Sequence, residues 1–148
     1  MTKRFAMLSG MALLGALSCA RPSGTSSVEH WVVVGHHAPG ISAMTDAEAA
    51  QWHGRSIDLG PDLAFVGTDS CDHPMYASRR APADSVLMAF QIAPGSLGPT
   101  LPPGATVTLT EVTCAGETWY SAGALLIKTS PTHAFTPWEG VFFELEKR

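Results

Sequence analysis

Charge is scarce in this chain: charged side chains make up 15% of its 148 residues, against roughly 25% in an average soluble domain. A disordered polyelectrolyte is therefore excluded. Basic residues are the scarcer sign, with 9 Lys and Arg against 13 Asp and Glu and a formal net charge of −4. No basic cluster is present to release counterions from a phosphate backbone, so nucleic acid is not an expected partner. The 14 Gly and 11 Pro follow no Gly-X-Y period and form no low-complexity tract, which excludes collagen-like and linker-like chains. Beyond the first twenty residues the longest apolar runs, SVLMAF and ALLI, are too short for a membrane-spanning helix. Also missing are the G-x-S-x-G elbow, H-E-x-x-H, the phosphate-binding loop, G-x-G-x-x-G and C-x-x-C. No enzyme activity is expected on that basis, although members of a catalytic triad need not be neighbours in sequence.

What is present begins with a leader. Lys3 and Arg4 precede an uncharged stretch from Phe5 to Leu17, followed by the small residues Ser18, Cys19 and Ala20. A positive start, a short apolar segment and small residues make a secretory signal pattern. As a helix the apolar stretch is about 20 Å long, short of the roughly 30 Å hydrocarbon core of a bilayer. The sequence Leu17-Ser18-Cys19-Ala20 resembles the lipobox of bacterial lipoproteins, with Ala16 and Leu17 departing from the usual residues at their places. The resemblance implies a signal peptide over residues 1–18, cleavage before Cys19 and lipid attachment, including palmitate, at that cysteine. Ala20, rather than Asp, implies sorting to the outer membrane of a two-membraned bacterium, facing the periplasm or the surface. The alternative is cleavage after Ala20, releasing a soluble periplasmic or secreted protein. Nine basic residues less Lys3 and Arg4 leave seven against thirteen acidic, so the exported chain has a net charge of −6.

With Cys19 used for lipid, Cys71 and Cys114 remain as an even pair in an oxidising compartment. A disulfide is expected, two buried free thiols being the alternative. A metal site at Cys71 and His73 has no accompanying ligand set. Residues 19–28 are small and polar and read as a tether giving a standoff of about 15 Å. Residues 29–148 are then a single β-rich domain.

Short strands are predicted at Trp31–Val34, Arg55–Leu59, Leu63–Val66, Met75–Arg79, Ser85–Gln91, Thr106–Thr113, Thr118–Tyr120, Ala124–Thr129 and Val141–Glu146. Alternation is strict in Thr106–Thr110, with Val107 and Leu109 on one face and threonines on the other, and in the last strand, with Val141, Phe143 and Leu145 inward. One short helix is expected where Thr45 and Glu48 form a capping box and Gly54 supplies the stop, with Ala49 and Trp52 packing it over the sheet. Seven to nine short strands and one helix give a mostly β fold, a small antiparallel barrel or sandwich.

Six histidines are the most distinctive polar feature. Neutral imidazole suits Zn or Cu, making His30, His36 and His37 the metal candidates, although no cofactor is expected. His36 and His37 are adjacent, so on a strand they face opposite ways, and His30 shares a face with His36 only if the strand stays regular. The bland alternative places His36 and His37 in an exposed turn. The segment around Asp72, His73 and Tyr76 is the densest polar stretch, where an acid-oriented imidazole and a phenol would form a small cluster; as plain structure it is a loop pinned by the disulfide. Of the four tryptophans, Trp138, in a turn before the last strand, is expected to be partly exposed and able to line a ligand site.

In outline the chain resembles small lipocalin-like or lysozyme-inhibitor-like envelope lipoproteins, and the segments ISAMTDAEAAQWHG, CDHPMY and TPWEGVFFEL resemble uncharacterised bacterial proteins. The expected function is an envelope-anchored, non-catalytic binding or inhibitor module. Its partners would be the membrane, through the lipid, and a protein or a small apolar ligand. The alternatives are a structural or assembly accessory lipoprotein and a histidine-based metal-binding envelope protein.

Overall fold

Alternating apolar residues commit most of the chain to one antiparallel sheet. A computed structural model describes residues 27–148; the leader, Cys19 and all but the last two tether residues lie outside the described residues. Ten strands follow in chain order: β1 (Glu29–His37), β2 (Ser56–Leu59), β3 (Leu63–Val66), β4 (Asp69–Asp72), β5 (Pro74–Pro82), β6 (Thr106–Cys114), β7 (Glu117–Thr118), β8 (Leu125–Lys128), β9 (His133–Trp138) and β10 (Val141–Lys147). Nine of them run in the order β4-β3-β2-β1-β10-β9-β8-β6-β5, and β7 pairs with β6. The sheet curls into a half-barrel. Its two helices are α1 (Asp46–Ala50) and α2 (Ala83–Ala89).

Curling gives the sheet a concave face with its own core. Trp31, Ile57, Leu59, Phe143 and Leu145 are fully enclosed there, and the same cluster holds Cys71 near one end of the sheet and Val112 near the other. The expected inward set Val141, Phe143 and Leu145 is found, and helix α1 contributes Ala49. The capping box forms as expected: the Glu48 amide donates to the Thr45 hydroxyl at 3.3 Å and the Thr45 amide donates to the Glu48 carboxylate at 2.8 Å. The carboxyl of Glu48 is held below its ordinary range by the bonds it accepts from the Thr45 amide and hydroxyl. The helix stops earlier than the residue types predict. Gln51–Gly54 form a turn in which Gly54 takes a positive φ of 85°, and Trp52 stacks on Phe143 with ring centres 4.8 Å apart.

The convex face has a second core. Val107, Leu109, Ile127, Phe135 and Phe142 lie on it, covered by Ala83, Val86 and Leu87 of α2 and by Ile92, Leu97 and Leu101 of the segment that follows. This corrects the expectation of a strand at Ser85–Gln91. Ala83, Val86 and Leu87 stand at i, i+3 and i+4, the spacing of one helical face, and Ala, Leu and Met favour helix over strand. Pro82 pre-sets the entry with φ −61°, and the Asp84 carboxylate in the first turn accepts from the Gly104 amide at 3.1 Å. Two strands were also missing from the expected set, β4 and β9. The polar DSCD of β4 alternates nothing apolar, and Pro137 within β9 argues against a strand interior.

Where the sheet's ends approach each other they are fastened. Cys71 of β4 and Cys114 of β6 form the expected disulfide, with Cα atoms 5.4 Å apart. Closing a loop with a separation of 43 residues destabilises the unfolded chain by about 4 kcal/mol in the chain-entropy model. The corner between β4 and β5 is turned by His73 in a left-handed conformation, φ 51°, and its amide donates to the Asp62 carbonyl at 2.8 Å. Breaking the bond in Cys71→Ser or Cys114→Ser should lower the urea-unfolding free energy by up to about 4 kcal/mol while leaving the far-ultraviolet spectrum that of a β protein. Unchanged stability in both variants would show that the seam does not depend on the disulfide.

Candidate functional site

The expected polar trio does not assemble. Asp72 and His73 are exposed, and no hydrogen bond joins either side chain to Tyr76 among the described residues. The phenol of Tyr76 instead points back across the seam and donates to the Gly60 carbonyl at 2.6 Å. Burial, followed by the charge of Glu29, pushes that phenol up to about 12, so at neutral pH it serves as a proton-bearing donor. Of the trio, Tyr76 fastens the seam of the half-barrel, and Asp72 and His73 stay on the surface of the corner.

The three candidate metal ligands are also separated, and the cause is one residue. Along β1 the register with β10 runs Val33 to Leu145 and then Gly35 to Glu144, leaving Val34 as a bulge. The side-chain alternation flips there. His30, before the bulge, pairs with Asp58 at 2.5 Å. His36, opposite Phe143, lies on the concave side, where its Nδ1 is 2.8 Å from Nε2 of His53 and its Nε2 is 2.9 Å from the Asp46 carboxylate. His37 faces the other way, edge-on to Phe135 at 5.9 Å. Both residues belong to β1 rather than to the exposed turn of the bland alternative. Among the described residues no group of three His, Cys, Asp or Glu side chains converges on a point that could hold a metal ion. Glycine inside a strand pattern is the sequence signal of a bulge, so Gly35 could have announced the flip. Nothing local in the sequence announces that His53 meets His36.

A further polar cluster surrounds Glu29, whose partners no local sequence pattern connects. Glu29 accepts from Lys128 at 2.8 Å, Lys147 at 2.9 Å and the Trp31 indole at 3.2 Å, and both ammonium groups lie within 5.6 Å of the centre of the Trp31 ring. Burial alone would raise the Glu29 carboxyl, but the hydrogen bonds from Lys128, Lys147 and Trp31 and the Lys128 charge outweigh it and hold the group at about 2. These residues tie β1 to β8 and β10.

A concave apolar feature that gathers exposed side chains lies where the hairpin of β9 and β10 meets the end of α2. An open concavity of about 500 Å³ is lined by Ile41, Phe90, Ile92, Trp138 and Phe142, with Gly40, Gln91, Pro137, Glu139 and Gly140 completing the wall. Trp138 is half-buried, as expected, although it ends strand β9 rather than sitting in a turn. The turn proper is Glu139-Gly140, both with positive φ, 50° and 82°, the pair of conformations that a two-residue hairpin requires. A Cβ at Gly140 would overlap the Ile41 carbonyl, with the Ser42 Cα only 2.7 Å away, so glycine permits the loop carrying Ile41 to lie against the hairpin. The Ala43 amide and the Ser42 hydroxyl, donating to the Glu139 carbonyl at 2.9 and 3.2 Å, hold it there. Gln91, φ 60°, is a second non-glycine residue in the left-handed conformation in the same wall. Ile41 is completely exposed and Phe90 is 40% exposed.

Compared with known proteins, the chain matches no family model, no curated protein and no solved structure.

The Glu29 cluster carries a signed pH dependence. Its carboxyl is lower in the fold, about 2, than its ordinary value of 4.5, so its contribution to stability is complete above about pH 4.5 and disappears as the pH falls towards 2. In Glu29→Gln that part of the acid loss should be missing from a plot of urea midpoint against pH. Parallel profiles for the variant and the wild type would overturn the assignment.

Proposed function

We propose that this chain is a non-catalytic binding or inhibitor module of the bacterial envelope, and that its binding surface is the concavity rimmed by Ile41, Phe90 and Trp138. The observation that carries the reading is the make-up of that wall: exposed Ile41 and Phe90 and half-buried Trp138 gathered around one open concavity. A concavity of about 500 Å³ falls in the range of small-molecule sites, roughly 300 to 1,000 Å³. Its chemistry suits an aromatic or branched apolar group, whether on a small ligand or on a partner protein's side chain. The Glu29 and Tyr76 groups are spent on internal pairs, which favours binding over catalysis there.

Anchoring through a lipid on Cys19, at the outer membrane, belongs to the same proposal. It is supported by the lipobox-like leader and by a disulfide of the kind that persists in oxidising compartments. The soluble exported form is the competing outcome.

Two measurements test this reading. N-phenyl-1-naphthylamine should brighten on binding to the wild type, and Ile41→Ser and Phe90→Ser, which alter exposed side chains, should each weaken it about tenfold; equal binding by both variants would remove the concavity as the site. Labelled palmitate should enter the wild type and not Cys19→Ser, and equal labelling of the two would overturn the anchor.

A further inference from the structure

The meeting of His36 and His53 is unlike the other polar contacts of the chain, because two imidazole nitrogens face each other. Nδ1 of His36 and Nε2 of His53 are 2.8 Å apart, with ring centres at 5.0 Å, so the two rings meet nitrogen to nitrogen. Metal-bound imidazole nitrogens sit about 2.0–2.1 Å from the ion, which places two of them about 2.9 Å apart at a right angle and about 3.3 Å at the tetrahedral angle. The pair therefore already stands near ligand spacing. The two nitrogens point at each other along the line between the ring centres, so a cation on the His36 lone pair asks exposed His53 to swing aside by about 2 Å and turn its ring.

The second nitrogen of His36 strengthens the case. Nε2 of His36 lies 2.9 Å from the Asp46 carboxylate, so that nitrogen carries the proton and Nδ1 is left with its lone pair directed at His53. A carboxylate on the far nitrogen is the arrangement that orients a metal-ligating histidine and raises its basicity. The His36 side chain is only 12% exposed and is held on β1 opposite Phe143. Trp52 is stacked on that same Phe143, so the residue preceding His53 is fixed to the sheet that carries His36.

We propose that His36 Nδ1 and His53 Nε2 form a two-nitrogen site for a late first-row divalent cation, with Asp46 as the positioning residue for His36. No third His, Cys, Asp or Glu converges among the described residues, so water completes the coordination. Cu(II), the strongest binder of nitrogen ligands in the divalent series, is the cation this site takes most tightly. The site is separate from the apolar concavity and does not depend on that reading.

The test adds Cu(II) alone to the folded full chain and reads the paramagnetic resonance spectrum and the affinity. One equivalent should bind with the signature of two imidazole nitrogens. His36→Ala and His53→Ala should each lose at least tenfold in affinity, and Asp46→Asn roughly tenfold, at the low end of what the loss of such an orienting partner costs. His53→Gln retains a hydrogen-bonding side chain beside His36 but no imidazole, and should lose the two-nitrogen spectrum while keeping the native circular dichroism. His133→Ala should bind as the wild type does. An unchanged spectrum in His53→Gln, or a loss in His133→Ala in place of the loss at His36, would overturn the proposal.

Discussion

Closure of the sheet at its seam is the constraint from which the remaining architecture follows. A short-stranded sheet left open would expose the concave face that carries Trp31, Ile57, Phe143 and Leu145. Burying that face is the dominant favourable contribution to such a fold. Cys71 and Cys114, Tyr76 against Gly60 and His73 against Asp62 all lie at the line where the two ends approach. One is covalent, one is a half-buried phenol and one is a backbone bond at a left-handed corner. Together they hold β4 close to β6, so a sheet without full strand-to-strand closure still encloses a core.

The convex face meets the opposite problem. Bending exposes it, and the strands from β5 to β10 carry large apolar residues there, among them Phe135 and Phe142. Helix α2 and the segment after it cover that half. Their cover ends at Phe90, which meets Phe142 edge-on at 5.4 Å and remains partly open to solvent. The concavity sits at this boundary, between the end of α2 and the hairpin of β9 and β10. It is thus a by-product of covering only part of a curved sheet, with its far wall supplied by the loop that Gly140 admits.

How much of this could be read from residues alone depends on the distance over which each signal acts. Strict alternation in Thr106–Thr110 and Val141–Glu146, the capping box at Thr45 and the parity of the cysteines are local or purely compositional, and each corresponds to what is found. The alternation in β6 held only so far: Thr110, assigned to the wet face, is buried beside Val112 and bonds Ser78 at 3.0 Å. The helix at Ala83–Ala89 reads as a strand from residue types alone because seven residues with an apolar stripe satisfy a short apolar run as well as a helical face. The candidate sites fared less well than the fold for a physical reason. Tyr76 answers to a carbonyl sixteen residues away and His36 to a ring seventeen residues away, and no spacing rule connects such partners until the sheet order is known.

The bulge at Val34 shows how little chain is needed to assign chemistry. Without it His36 would share a face with His30, on the outward side opposed to Trp31 and Val33, and His37 would turn inward. With it, His36 turns in towards helix α1 and meets Asp46 and His53, while His37 turns out onto Phe135 and approaches Glu144 at 3.9 Å. One unpaired residue thereby gives two adjacent histidines different neighbours, one set polar and partly solvent-open, the other aromatic and acidic. Gly35 permits the flip at a point where Glu144 lies 3.2 Å from where a Cβ would stand, so the sheet accepts the extra residue without displacing β10. The nitrogen-to-nitrogen contact thus depends on backbone register first and on the identity of the side chains second, because either histidine moved by one position would leave the other without a partner.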